Sequence, residues 1–199
     1  IRRTDNTVAA GVVINDMWAN SDVNAEGSDT ADYFQAYYDG YCDTKSFIES
    51  GYVDFALVRA YGSITSQRLP FGEVTGWWGD IAADSNIPLY IVHHNELIGT
   101  DTVGWGGEDQ LLKQLSVSKE VAAYSGSVFN SFASLTADPL GSTDTLTSYF
   151  NKQINEQSLF EDLKMTSPSA LTFTTTEASV AFMGSFDSNF PVYFNGKEI

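Results

Sequence analysis

Four short apolar runs, each followed by a segment of helical periodicity, constrain this chain more than any other feature. They are Ala9–Ile14, Val53–Val58, Leu89–Val92 and Gly126–Phe129. The runs are nearly continuous and do not alternate, the pattern of strands buried on both faces of a parallel sheet. Parallel neighbours need crossover connections, and the intervening segments supply them.

Phe34, Tyr37, Tyr38, Tyr41 and Ile48 recur at three-to-four spacing and stop before Gly51, a suitable residue just past a helix end. Phe71, Val74, Trp77, Trp78 and Ile81 repeat the pattern after Pro70, which suits a first helical turn. Leu111, Leu112, Leu115, Val121 and Ala122 form a third stripe; a fourth runs from Thr145 to Ile154, with Ser142 or Thr143 as its N-cap. The strands begin near residues 9, 53, 89 and 126, so the repeat is 44, 36 and 37 residues. A (β/α)8 barrel of about 250 residues averages roughly 31 per unit, so four units amount to half a barrel. The alternative is a four-stranded doubly wound sheet, but no glycine-rich phosphate loop follows the first strand. Gly104-Trp105-Gly106-Gly107 lacks both the spacing and the lysine of a nucleotide loop.

The texture changes after Met165. Ser167-Pro168-Ser169 reads as a linker, and Leu171–Thr176 and Ser179–Met183 then alternate with the period of half-buried strands. Val192-Tyr193-Phe194 before Asn195-Gly196 signals a tight hairpin. The expected fold class is therefore α/β: the C-terminal half of a (β/α)8 TIM barrel over residues 1–165, then the beginning of an immunoglobulin- or fibronectin-like β-sandwich over 166–199. A sandwich needs ~100 residues, so the sequence is expected to stop inside that domain, and Ile1 to be a processed or internal boundary. Half a barrel leaves two unpaired edges and a bare inner face, which predicts self-association.

Composition narrows the partners. Ten Lys and Arg stand against 26 Asp and Glu, a net charge of -16, which repels phosphate backbones and anionic lipid. Aromatics reach 14%, which suits sugar-stacking clefts and large aromatic cores equally. Cys42 is the sole cysteine, so neither an internal disulfide nor a cysteine zinc site can form. No apolar stretch approaches the ~20 residues that span a bilayer. No cofactor or metal is expected, since the two histidines lack companions at ligand spacing.

Several short motifs in order resemble a known family. Gly27-Ser28-Asp29-Thr30, Tyr37–Thr44, Gly51–Phe55, Trp77-Trp78, Leu89–His93, Gly126–Phe129 and Asp138–Gly141 are similar to segments of the bacterial glycosyl-hydrolase-like family 10 proteins, in their C-terminal part. The resemblance covers about residues 9 to 163. It implies an exported or envelope-bound bacterial protein, a barrel, and hydrolysis of cell-wall or other polysaccharide. The family's acidic Asp-Asp pair belongs to its N-terminal half and has no match here, so the resemblance implies that the main catalytic carboxylates lie outside this chain and that the isolated chain is inactive. At strand ends the chain departs from the family: Val13-Ile14-Asn15-Asp16 replaces Ser-Pro-Phe-Gly, Val58-Arg59 replaces Pro-Gln, and His94-Asn95-Glu96 replaces small residues and a Tyr. These are the positions where barrels do chemistry. A non-catalytic carbohydrate-binding or scaffold protein is the alternative function.

Glycoside hydrolysis needs two carboxyl groups roughly 5–9.5 Å apart. Asp16 and Glu96 follow strand ends and are the candidate catalytic pair, or else a turn-capping Asp and a solvated Glu. Of the adjacent His93 and His94, one should face the barrel interior and the other the helices. His93 is the expected sugar-facing residue and His94 the core histidine. Arg59, ending a strand, either binds an anionic sugar or pairs with Asp16 or Glu96. Trp18 and Tyr61 are candidate stacking platforms, and Asn15, Asn95 and Asn130 candidate hydrogen-bonding groups at the mouth.

Overall fold

The computed structural model describes residues 7–31 and 33–156, with four short strands beyond them. The strands β1 (Gly11–Ile14), β2 (Phe55–Ala60), β3 (Leu89–His93) and β4 (Tyr124–Phe129) form one sheet in the order β1-β2-β3-β4. Every pairing is parallel. Helices α1 (Thr44–Glu49), α2 (Phe71–Asp84) and α3 (Gln110–Lys119) lie between the strands, followed by α4 (Phe132–Ala137) and α5 (Ser142–Glu156). A doubly wound sheet reverses its strand order part-way; this one does not, so same-handed crossovers put α1, α2 and α3 on one face. The arrangement is compatible with part of a barrel.

The core sits between that face and the helices. Ile14, Ala56, Val58, Ala60, Leu89 and Ile91 pack against Ile48 of α1 and Phe71, Val74 and Trp78 of α2. The opposite face carries Val13, Leu57 and Tyr90 in register, with Gly11 under the Phe55 ring. Continuous apolar runs predicted burial on both faces, yet Val13 is 53% and Val128 38% exposed. Val92 on the same face is nonetheless buried, and among the described residues β1 and β4 each have one neighbour.

The helical stripe over 34–48 resolves differently. Only Thr44–Glu49 is helical, because Asp43 caps it, its carboxylate accepting from the Ser46 N–H at 3.2 Å and the Ser46 hydroxyl at 2.7 Å. Residues 33–43 are irregular around a turn at 36–39, with Tyr41 at φ +49°. Pro70 is the N-cap of α2, and α5 starts at Ser142, where the Asp138 carboxylate accepts from the Thr143 N–H at 2.6 Å.

The chain divides into two compact units, Ile1–Thr147 and Ser148–Ile199. In the second, β5 (Lys164–Ser167) pairs antiparallel with β6 (Met183–Ser185), and β7 (Tyr193–Phe194) with β8 (Lys197–Glu198) on either side of Asn195-Gly196. The run 171–176, most of 179–183 and the linker after Ser167 lie outside the described residues. No described helix is long and apolar enough to cross a membrane.

Candidate active site

Because the four strands are parallel and in register, their C-terminal ends share one rim. Tyr61, His94 and Asn130 follow β2, β3 and β4 on one level. The Tyr61 and His94 rings lie 4.2 Å apart at 30°, and the Asn130 amide donates to the Tyr61 hydroxyl at 3.2 Å. Beside them opens a pocket of about 500 Å³, walled by Asp16, Tyr33, Tyr61, Arg68, His94 and Trp105 among others.

Asp16 is 8% exposed, and burial lifts its carboxyl from 3.8 to about 6. Bonds from backbone N–H groups and the field of Arg59 only partly oppose that rise. The turn that holds it is anchored from α2, where the Trp78 indole N–H donates to the Asp16 carbonyl at 2.9 Å. His94 is half-buried, which lowers its basicity, and its Nε2 sits 3.6 Å from the Glu96 carboxylate, which works the other way. Glu96 itself is outside the pocket wall.

The far wall is a clamp between two loops. The Ser63 hydroxyl donates to Val103 O at 3.0 Å, and a side chain on Gly104 (φ +84°) would run into that hydroxyl. This close approach sets Trp105 beside His94, with ring centres 6.5 Å apart.

The two histidines exchange their expected places. His93 is fully buried in the helix layer, stacked between Phe71 and Phe129. Its Nδ1 meets the Gln114 side-chain oxygen at 2.9 Å and its Nε2 meets the Ser127 hydroxyl at 2.8 Å. Gln114 spends its amide N–H on Gly62 O at 3.0 Å, so its oxygen faces His93 and the proton resides on Nδ1. Burial lowers His93 to about 4, a neutral structural histidine. His94, expected in the core, lines the pocket.

Other expected site residues divide likewise. Trp18 is buried under Tyr37 and Trp77, its indole N–H donating to Asp43 at 3.0 Å. Asn95 is buried and donates to Ser131 O at 3.0 Å. Neither reaches the pocket. Arg59 of β2 is exposed on the second face, close enough for its charge to act on Asp16; Asn15 is half-buried at the end of β1. Tyr33, Arg68 and Trp105 escaped the sequence reading. Arg68 lies over the Tyr33 ring, its guanidinium carbon 5.4 Å from the ring centre. Trp105 stands in the glycine-rich stretch that was set aside as a failed nucleotide loop. Among the described residues no group of three or more His, Cys, Asp or Glu forms a metal site.

No protein-family model matches the chain. It is 25% identical over 131 residues to the glycosyl hydrolase YngK of Bacillus subtilis, covering 65% of this chain and 26% of that protein. It is 28% identical over 127 residues to the glycosyl hydrolase DigH of Escherichia coli, covering 61% of this chain and 29% of that one. The chain is thus similar to proteins named glycosyl hydrolases. It spans less than a third of the length of these relatives.

Proposed function

We propose that this chain supplies part of the sugar cleft of a glycoside hydrolase acting on cell-wall or another polysaccharide, with Asp16 as an acid/base carboxyl. The observation that carries this reading is a nearly buried carboxyl, raised to about 6, in the wall of an aromatic-lined pocket at the strand C-termini. A carboxyl so tuned is protonated at mildly acidic pH and can deliver a proton to a glycosidic oxygen. Glu96, exposed beside His94, is the proposed second carboxylate. Membership of the glycosyl-hydrolase-like family 10, a closed (β/α)8 barrel around this sheet, a β-sandwich after it and an extracellular or envelope location belong to the same proposal. The strand order supports the barrel, and the names of the relatives support the hydrolase reading.

A second reading is favoured by one observation: Asp16 is the one carboxylate among the described residues in the pocket wall. A non-catalytic carbohydrate-binding protein needs no second. Incubation with peptidoglycan and a plant-glycan panel separates the two. New reducing ends that disappear in Asp16→Asn support the hydrolase; binding without release supports the scaffold; neither binding nor release removes both.

A further inference from the structure

The segment 33–43 has aromatic spacing suited to a buried helix face, yet its rings point outward. Tyr33, Tyr37, Tyr38 and Tyr41 are all exposed. The backbone beneath them is braced. The Ala36 and Tyr37 N–H groups donate to the Met17 and Trp18 carbonyls, Cys42 N–H returns to Ala36 O, and the Asn20 N–H donates to the Gln35 side-chain oxygen at 2.9 Å. Held on a fixed scaffold, these rings expose apolar area that folding does not require, which marks a recognition surface.

The rings form a ladder. Tyr38 stands edge-on to Tyr37 with centres 5.0 Å apart; Tyr37 leans on Trp18 at 5.0 Å; Trp18 stacks on Trp77 at 5.9 Å and 18°. The ladder approaches the pocket from two sides. Tyr33 belongs to the pocket wall. Trp77 packs edge-on against Trp78, the residue that holds the Asp16 carbonyl. Polar groups flank the rings: Asn24 lies 3.5 Å from the Tyr38 hydroxyl, and Lys45 sits over Trp18.

We propose that this tyrosine ridge is a platform for further units of a glycan chain leading out of the pocket, so that the site takes polymers in preference to short sugars. The proposal rests on reading the pocket as a sugar site. Pyranose C–H faces stack on the negative faces of aromatic rings while their hydroxyls reach flanking polar groups. The chain's charge of -16 disfavours anionic lipid or nucleic acid as the occupant.

Calorimetric titration of the 199-residue protein with cello- and chito-oligosaccharides of two to six units tests it. Affinity is expected to rise at least tenfold with length. Tyr38→Ala, whose ring meets Tyr37 and Asn24, and Tyr37→Ala should each remove most of that rise while disaccharide affinity stays within about twofold. Tyr61→Ala should weaken every length. A rise that survives in both ridge variants, or wild-type affinity independent of length, overturns the ridge. Wild-type protein that binds no oligosaccharide of either series overturns the pocket reading instead.

Discussion

Two buried groups pull the pH dependence of stability in opposite directions. Asp16 is raised from 3.8 to about 6, so the folded state holds a proton the unfolded chain has released, and folding loses about 3 kcal/mol as pH climbs through that window. His93 is lowered from 6.5 to about 4, so the unfolded chain binds a proton the folded state refuses, and folding loses about 3 kcal/mol as pH falls through that window. The two nearly cancel between pH 4 and 6.5. Asp16→Asn should uncover the histidine: denaturant midpoints that vary little with pH in the wild type should rise with pH in the variant, with a gain in stability of about 3 kcal/mol. A parallel pH dependence in both proteins would contradict the assignment of either group. At this scale the sequence was informative where strand register alone places a residue, as for Asp16, Tyr61 and Asn130. It misled where one residue of phase decides the face: adjacent His93 and His94 look alike until the sheet says which one meets Gln114. Arg68 and Trp105 carried no local signal because loops, which have no period, bring them in.

Among the elements, the four strands and α2, α3 and α5 were legible from their apolar periods, although β1 and β4 are less buried than their continuous runs predicted. The stripe at 34–48 was not, since the same spacing arises when aromatics serve a surface. The Gly27–Thr30 motif of the resemblance likewise organises a loop: Gly27 passes so close to the Ala19 carbonyl that a Cβ would come within 2.6 Å. Gly62 at the pocket floor is tighter still, with a Cβ only 1.7 Å from Leu69 O. Because that neighbour is backbone, Gly62→Ala must displace the loop. The expected cost is on the order of 3 kcal/mol, a fall in melting temperature of about 6–12 °C. A midpoint within 2 °C of wild type, outside roughly that range, would show the loop to be slack.

For the whole molecule, the sheet order and the second face leave a consequence that no single element contains. Two edges unpaired among the described residues, and a face bearing the exposed Val13 and Val128, favour association of the isolated chain. Light scattering should give a mass that grows with concentration, and Val13→Lys should reduce the growth; a constant monomer mass would exclude it. The boundary expected after residue 165 has no test here, since the alternating runs of the C-terminal part fall largely outside the described residues.

Sugar release as a function of pH, by wild type and Asp16→Asn, bears most directly on the pocket as a catalytic site. Release should decline as pH rises through about 6, following loss of the Asp16 proton. The variant should retain no more than about one hundredth of the wild-type rate, the usual contribution of a general acid. Undiminished release by Asp16→Asn would contradict the assignment outright.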